Sequence, residues 1–267
     1  MLVTPHAEEL GRALAFVHTC GTAPGERWGS RPRLQALFGA WVAGRAGIPA
    51  PAAALGELAA CARDALAAED GRGAFDARAH DPSLLLLCRD AMRSRGVAST
   101  VLERCCGELA SAPPPRGLRL PDGPDVLLRA DAATIRSVCN GLAAATRFGA
   151  EPLPEPEAAA LGPPLAARML QTLRDYDLVL GTSLLRTLVY LGAGPGDDDV
   201  EDAIAHLLCQ QQPDGRFGWY ARELRSCDPP LDADRDLHLP VTVAVLWALV
   251  EATTPGFSLA LPPSACR

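Results

Sequence analysis

Lysine is absent: all 25 basic residues of this 267-residue chain are arginine. Asparagine occurs once, at Asn140, and isoleucine only at Ile48, Ile135 and Ile204. Aromatic residues make up 5% of the chain. Without lysine there is no glycine-rich phosphate loop ending in Gly-Lys-Ser/Thr. Few aromatics and little period-2 alternation argue against a strand-built fold. No Cys-x-x-Cys pair occurs, so the informative zinc spacings are missing. No Gly-x-Ser-x-Gly elbow occurs, which excludes that nucleophile turn. Basic surplus is missing as well: the net charge is -7, and arginines are interleaved with acids. Nucleic acid is therefore not an expected partner.

Other absences concern location. Met1-Leu2-Val3-Thr4-Pro5-His6 lacks the basic and apolar regions of a secretory signal. No uninterrupted apolar run reaches the length of a bilayer span. Nine cysteines, at 20, 61, 88, 105, 106, 139, 209, 227 and 266, are odd in number and lie mostly in apolar stretches. They read as small buried thiols in a reducing compartment. The expectation is a cytoplasmic protein. The arginine-only skew has no folding logic; it fits a GC-rich genome, such as an actinobacterial one.

What the sequence does contain is helical periodicity. Val200, Ile204, Leu207 and Leu208 share one face, as do Ile135, Val138, Leu142 and Ala145. Val97, Val101, Leu102, Cys105 and Leu109 form a third stripe. Pro and Gly clusters at 49–51, 113–115, 152–156, 163–164 and 192–196 punctuate the chain. About ten helices are predicted, near 6–20, 31–45, 52–69, 82–95, 97–111, 131–147, 156–174, 178–191, 199–212 and 239–252. Gly162-Pro163-Pro164 should break the seventh, which would then begin only at Pro164. The reading is one domain over 1–267, with a weaker subdivision into 1–115 and 116–267.

A loose repeat sets an N-cap residue before several helices. Asp177-Leu178-Val179-Leu180 parallels Asp236-Leu237-His238-Leu239; Asp125, Asp81 and Ser30 open weaker copies. Two helix types are expected. The stretch from Pro240, and those around Leu84 and Leu178, are apolar on all sides and should be buried. The helices at 52–69 and 199–212 carry charge and should be half-exposed. Buried and half-exposed helices alternating at hairpin spacing suit an inner and an outer ring.

The most informative segment is Ala203-Ile204-Ala205-His206-Leu207-Leu208-Cys209-Gln210-Gln211-Gln212-Pro213-Asp214-Gly215-Arg216-Phe217-Gly218-Trp219. An apolar helix ends in Gln, and an Asp-Gly turn leads to a Gly-aromatic pair. This resembles the Gln-Trp repeat of the terpenoid cyclase and protein prenyltransferase superfamily, over about residues 197–252. Asp70-Gly71-Arg72-Gly73-Ala74-Phe75 echoes it without the Gln. The resemblance implies an all-α fold, an α/α-toroid of about five hairpins. The motif itself is structural: Gln satisfies helix-end carbonyls, Gly takes a positive φ, and the aromatic packs across the connection.

Chemistry is sparser. Asp197-Asp198-Asp199 departs from the Asp-x-Asp-Asp pattern of class II terpene cyclases and suits a helix start. The segment from Cys227 to His238 reads as an acidic loop holding Cys, His and four acids. Its order matches neither the zinc set of prenyltransferases nor an EF-hand, since Leu237 and Val243 stand where Gly and Glu are needed. His206 and Cys209 alone make no metal site, and lanthionine-cyclase zinc motifs are missing. No cofactor is expected, and a divalent metal has no supporting motif. Candidate acid/base residues are His238 and Asp236, with Asp177 and Tyr176 at the equivalent place one repeat earlier. Trp219, Tyr220 and Trp247 are candidates to line a cavity.

Two functions follow as expectations. One is binding, or cyclase-like tailoring, of a lipophilic isoprenoid- or polyketide-like molecule in a bacterial natural-product pathway. An enzyme of this build would be a lyase or isomerase using acid and base groups in the toroid cavity. The other is a non-catalytic protein-interaction module with an eroded repeat.

Overall fold

A computed structural model describes residues 5–23, 29–49, 53–77, 80, 82–111, 124–220, 230–254 and 257. Among them the chain is all-helical, with eleven α-helices and no strand. They are α1 (Ala7–Thr22), α2 (Ser30–Arg45), α3 (Ala54–Gly71), α4 (Pro82–Arg93), α5 (Thr100–Ser111), α6 (Pro124–Arg129), α7 (Ala132–Ala145), α8 (Glu155–Arg174), α9 (Leu178–Tyr190), α10 (Asp198–Cys209) and α11 (Pro230–Thr253). Two compact units divide them. One holds His6–Pro113 and Gln212–Leu246; the other holds Pro114–Gln211 and Trp247–Ala260. The last helix contributes to both.

In the first unit, α3 neighbours both α1 and α5, while α2 packs on α4. Contacts between α1 and α2, α2 and α3, and α4 and α5 join these two layers. Gly39 of α2 lies against Val243 of α11, where an added Cβ would sit 3.2 Å from a valine methyl. The core is aliphatic and dense: Leu34, Leu37, Phe38, Leu58, Leu66 and Leu246 are at most 2% exposed. In the second unit, α6, α8 and α10 form one layer and α7 packs on α9 in the other. α9 is buried at most of its positions, as is α11 from Leu239 onward, whereas α3 and α10 bury one face.

Several local expectations need correction. α8 runs unbroken through Pro163 and Pro164. Proline removes the donors that would reach the carbonyls of Ala159 and Ala160. Both residues are exposed, so water can take those carbonyls, while Leu161, Pro164 and Leu165 are held in the core. α11 starts at Pro230, not near 239. Most of the expected acidic loop is therefore helix; Cys227 to Pro229 lie outside the described residues. Proline is well tolerated at a first helical position, and acids nearby favour the positive end of the helix dipole. Asp236 is consequently the seventh residue of a helix and not a cap. α6 is an additional element, too short for periodicity to reveal, anchored by Leu127.

Caps also differ in detail. The Asp177 carboxylate accepts from the Leu180 amide at 3.0 Å, and Asp131 caps α7 in the same way. Ser30 is not a cap: Glu69 reaches from α3 to accept from its amide and its hydroxyl, each at 2.6 Å. Asp197 stands at the N-cap of α10, but its carboxylate turns back to the Gly194 amide at 2.6 Å. One stretch, Asp236–Thr253, is long and apolar enough by composition to cross a membrane; 72% of it is buried inside the protein.

Candidate functional site

The corner after α10 is built from Gln212 to Trp219. Gly215 has a φ of 93°, and its backbone lies against the Arg12 carbonyl, so no side chain fits there. Gln212 donates from its amide to the Arg216 carbonyl at 2.8 Å and from its side chain to the Gly218 carbonyl at 2.5 Å. Phe217 is fully buried, and its amide donates to the Thr242 hydroxyl at 3.0 Å. His238 is buried 2.9 Å from the Phe217 carbonyl. A carbonyl only accepts, so Nδ1 carries the proton and the ring tautomer is fixed. The Tyr220 ring rests 5.1 Å from that imidazole. The corner is thus pinned to α11 by a buried polar pair.

The remaining sequence candidates stand as follows. Asp236 is exposed. Tyr176 adopts a φ of 69° and donates its hydroxyl to Gln210 at 2.9 Å. Asp177 is engaged as a cap and lies 3.9 Å from Arg136. Tyr176 and Asp177 belong to one unit, Asp236, His238, Trp219 and Tyr220 to the other. Trp219 is 55% exposed. Trp247, on α11, enters a different constellation.

That constellation lies within the second unit. Glu251 is the single charge in the last two turns of α11, and its side chain is 1% exposed. It accepts from Arg186 Nε at 2.9 Å, from the Tyr190 hydroxyl at 2.8 and 3.0 Å, and from Trp247 Nε1 at 2.8 Å. Arg186 also donates to the Tyr190 oxygen at 2.7 Å and stacks on the Trp247 ring. Burial disfavours the guanidinium charge, yet Tyr190 and Glu251 more than compensate and hold its pKa above the ordinary value. Burial pushes the Tyr190 phenol well above its ordinary range. The pair is therefore Arg⁺/Glu⁻ with every facing group hydrogen-bonded, the condition under which a buried ion pair is tolerated.

Beside it the backbone is strained. Arg147, Phe148 and Gly149, just after α7, take φ values of 47°, 56° and 82° in succession. Two consecutive non-glycine residues in the left-handed region cost roughly 1–2 kcal/mol each. They are held there because Phe148 donates to the Ala143 carbonyl at 2.8 Å, Glu151 to that of Thr146 at 2.9 Å, and Gly149 to the buried Thr146 hydroxyl at 3.2 Å. The turn aims Phe148 at Tyr190, edge-on at 6.2 Å, and at Trp247, 6.3 Å away. An added Cβ at Gly149 would stand 3.1 Å from the Tyr190 ring.

Strain and buried charge meet at a cavity of about 250 Å³. Its walls are Phe148, Val189, Tyr190, Glu251, Thr254 and Phe257, closed on one side by the loop Gly192 to Pro195. The same loop borders an open groove of about 340 Å³ against α8. Among the described residues the Thr254 hydroxyl has no hydrogen-bond partner. Among the described residues no group of three or more His, Cys, Asp or Glu stands ready for a metal. Arg186, Tyr190, Glu251 and Thr254 were not singled out from the sequence. A signal existed: Arg186 is the sole charge in Leu178–Leu191 and Glu251 the sole charge in Leu239–Thr254. Lone opposite charges in two buried helices must find each other. No family model, no curated protein and no solved structure matches this chain.

Proposed function

We propose that this protein binds a small lipophilic molecule in the cavity beside the Arg186–Tyr190–Glu251–Trp247 network, on a scaffold of α/α-toroid type. The observation that carries the reading is the meeting, at one cavity, of a strained left-handed turn, through Phe148 and Gly149, and the buried carboxylate of an ion pair, Glu251. Both are costly, and such features concentrate at functional sites. The toroid is supported by the segregation of helices into two layers within each unit and by the pinned Gln-to-aromatic corner. The bacterial natural-product setting rests on composition and on the superfamily resemblance, and a cytoplasmic location rests on composition alone.

Binding is the better reading than cyclisation. Glu251 is saturated with donors, and the candidate acid and base His238 and Asp236 belong to the unit that does not hold the cavity. The interaction-module reading is favoured by one observation, the exposed Trp219 indole. Native mass spectrometry of the purified protein, with a thermal-shift screen of lipophilic acids, amines, alcohols and diphosphates, separates the two. A bound small molecule, or a shift that Tyr190→Phe diminishes, supports the binding reading. A clean mass and no shift with any class would end it and leave the interaction reading.

A further inference from the structure

We infer that the cavity ligand is a neutral molecule of about eight to ten non-hydrogen atoms with one hydroxyl or carbonyl, and that Thr254 recognises that group. This rests on the binding reading above and adds the ligand's size, charge and polar contact.

Size follows from volume. A water molecule's share of liquid volume is about 30 Å³, and small organic groups pack comparably. A cavity of about 250 Å³ therefore holds roughly eight to ten heavy atoms at liquid density. Atoms of a longer chain would project past the walls and gain no further burial.

Charge follows from Glu251. It lines the cavity, and its negative charge is matched by Arg186 behind it. An anionic ligand would meet the carboxylate as a like charge in a poorly solvated space. An ammonium would have to draw on a carboxylate whose oxygens already accept from Arg186, Tyr190 and Trp247. A neutral ligand disturbs neither. Its body meets Phe148, Val189 and Phe257, which are apolar or aromatic.

The polar contact follows from Thr254. The hydroxyl is buried and finds no partner among the described residues, a state that is destabilising unless a partner arrives. Thr254 lines the cavity, and its hydroxyl moves between staggered positions about a single bond. The polar groups around it are otherwise committed: the Gly192 amide donates to the Val189 carbonyl at 3.1 Å and the Gly194 amide to Asp197 at 2.6 Å. A ligand oxygen within reach of Thr254 would satisfy it.

The test is calorimetric titration of the full chain with 1-hexanol, 1-octanol, 1-dodecanol, octanoate and octylamine. Octanol should bind about tenfold or more tightly than octanoate or octylamine. Affinity should rise from hexanol to octanol and rise no further at dodecanol. Thr254→Val should weaken octanol by about threefold to tenfold, and Thr254→Ser should restore it. Melting temperatures of both variants show that the fold persists. If octanoate or octylamine binds as tightly as octanol, if dodecanol binds more tightly still, or if Thr254→Val binds octanol as wild type does, the inference fails while the binding reading stands. If none of the five binds, the inference fails, and the binding reading falls with it only if the native mass is clean and diphosphates give no thermal shift.

Discussion

Glu251→Gln is the most telling perturbation of the buried network. The substitution preserves shape, removes the charge, and puts an amide NH₂ where one oxygen now accepts. Arg186 Nε, 2.9 Å from that carboxylate, then keeps its positive charge on a side chain only 12% exposed. Tyr190 and Trp247 compete for one remaining acceptor. Breaking a buried pair by removing one partner costs about 3–5 kcal/mol. A little of that is recovered because Arg186 still stacks on Trp247 and reaches solvent at its edge. The expected loss is about 3 kcal/mol, or roughly 6–12 °C in Tm for a chain of this size. The companion variant Arg186→Met should cost a similar amount, because it strands the carboxylate. In the double variant no charge remains buried, and apolar replacement of a whole pair is often neutral. Urea unfolding followed by circular dichroism should therefore show the double variant at least 2 kcal/mol more stable than the sum of the singles, by roughly the coupling expected of contacting residues. A single-variant loss below about 1 kcal/mol, or strict additivity, would refute the assignment of a desolvated, mutually dependent pair.

Two further outcomes follow from other parts of the fold. Gly215→Ala should lower stability by about 2 kcal/mol or more, read by thermal melting, because the new Cβ is driven into the Arg12 carbonyl at a φ of 93°; an unchanged Tm would mean the corner is not pinned. Burial pushes the Cys106 thiol up to about 11. The unfolded thiol ionises near 8.5, so its contribution is complete below that pH and is lost as pH rises toward 11. Between pH 8 and 10.5 the wild type should lose up to about 2 kcal/mol more than Cys106→Ala, measured by urea midpoints at each pH. Equal losses in the two proteins would contradict that burial.

Helix class was legible because apolar positions recur at the helical period and little else competes. The stripe at Val200, Ile204 and Leu207 is indeed the buried face of α10, and Pro240 to Val250 lies inside. Boundaries were less legible where proline was read as a stop. In α8 the lost hydrogen bonds fall on the wet side; the start of α11 at Pro230 is hidden for another reason, because its acidic first turns read as a loop. At the corner the glycine takes the positive φ expected and the aromatic is buried, but the Gln212 side chain donates across the turn to the Gly218 carbonyl and not to the carbonyls that end α10. The ion pair could not be read by proximity, since Arg186 and Glu251 lie 65 residues apart. It shows in sequence only as two charges that interrupt otherwise apolar helices. The left-handed turn at Arg147-Phe148 is invisible beforehand, because neither residue favours that region; local bonds to Ala143 and Thr146, with Phe148 packed on Tyr190, hold it.

The most direct test of a ligand site walled by Phe148, Val189 and Thr254 is an isotope-filtered NMR experiment on labelled protein with unlabelled 1-octanol. Nuclear Overhauser contacts should run from the octanol chain to the Val189 and Ala252 methyls and the Phe148 ring, all three of which border the cavity. Contacts confined instead to the exposed Trp219 indole, or to none of these groups at saturating octanol, would contradict the account.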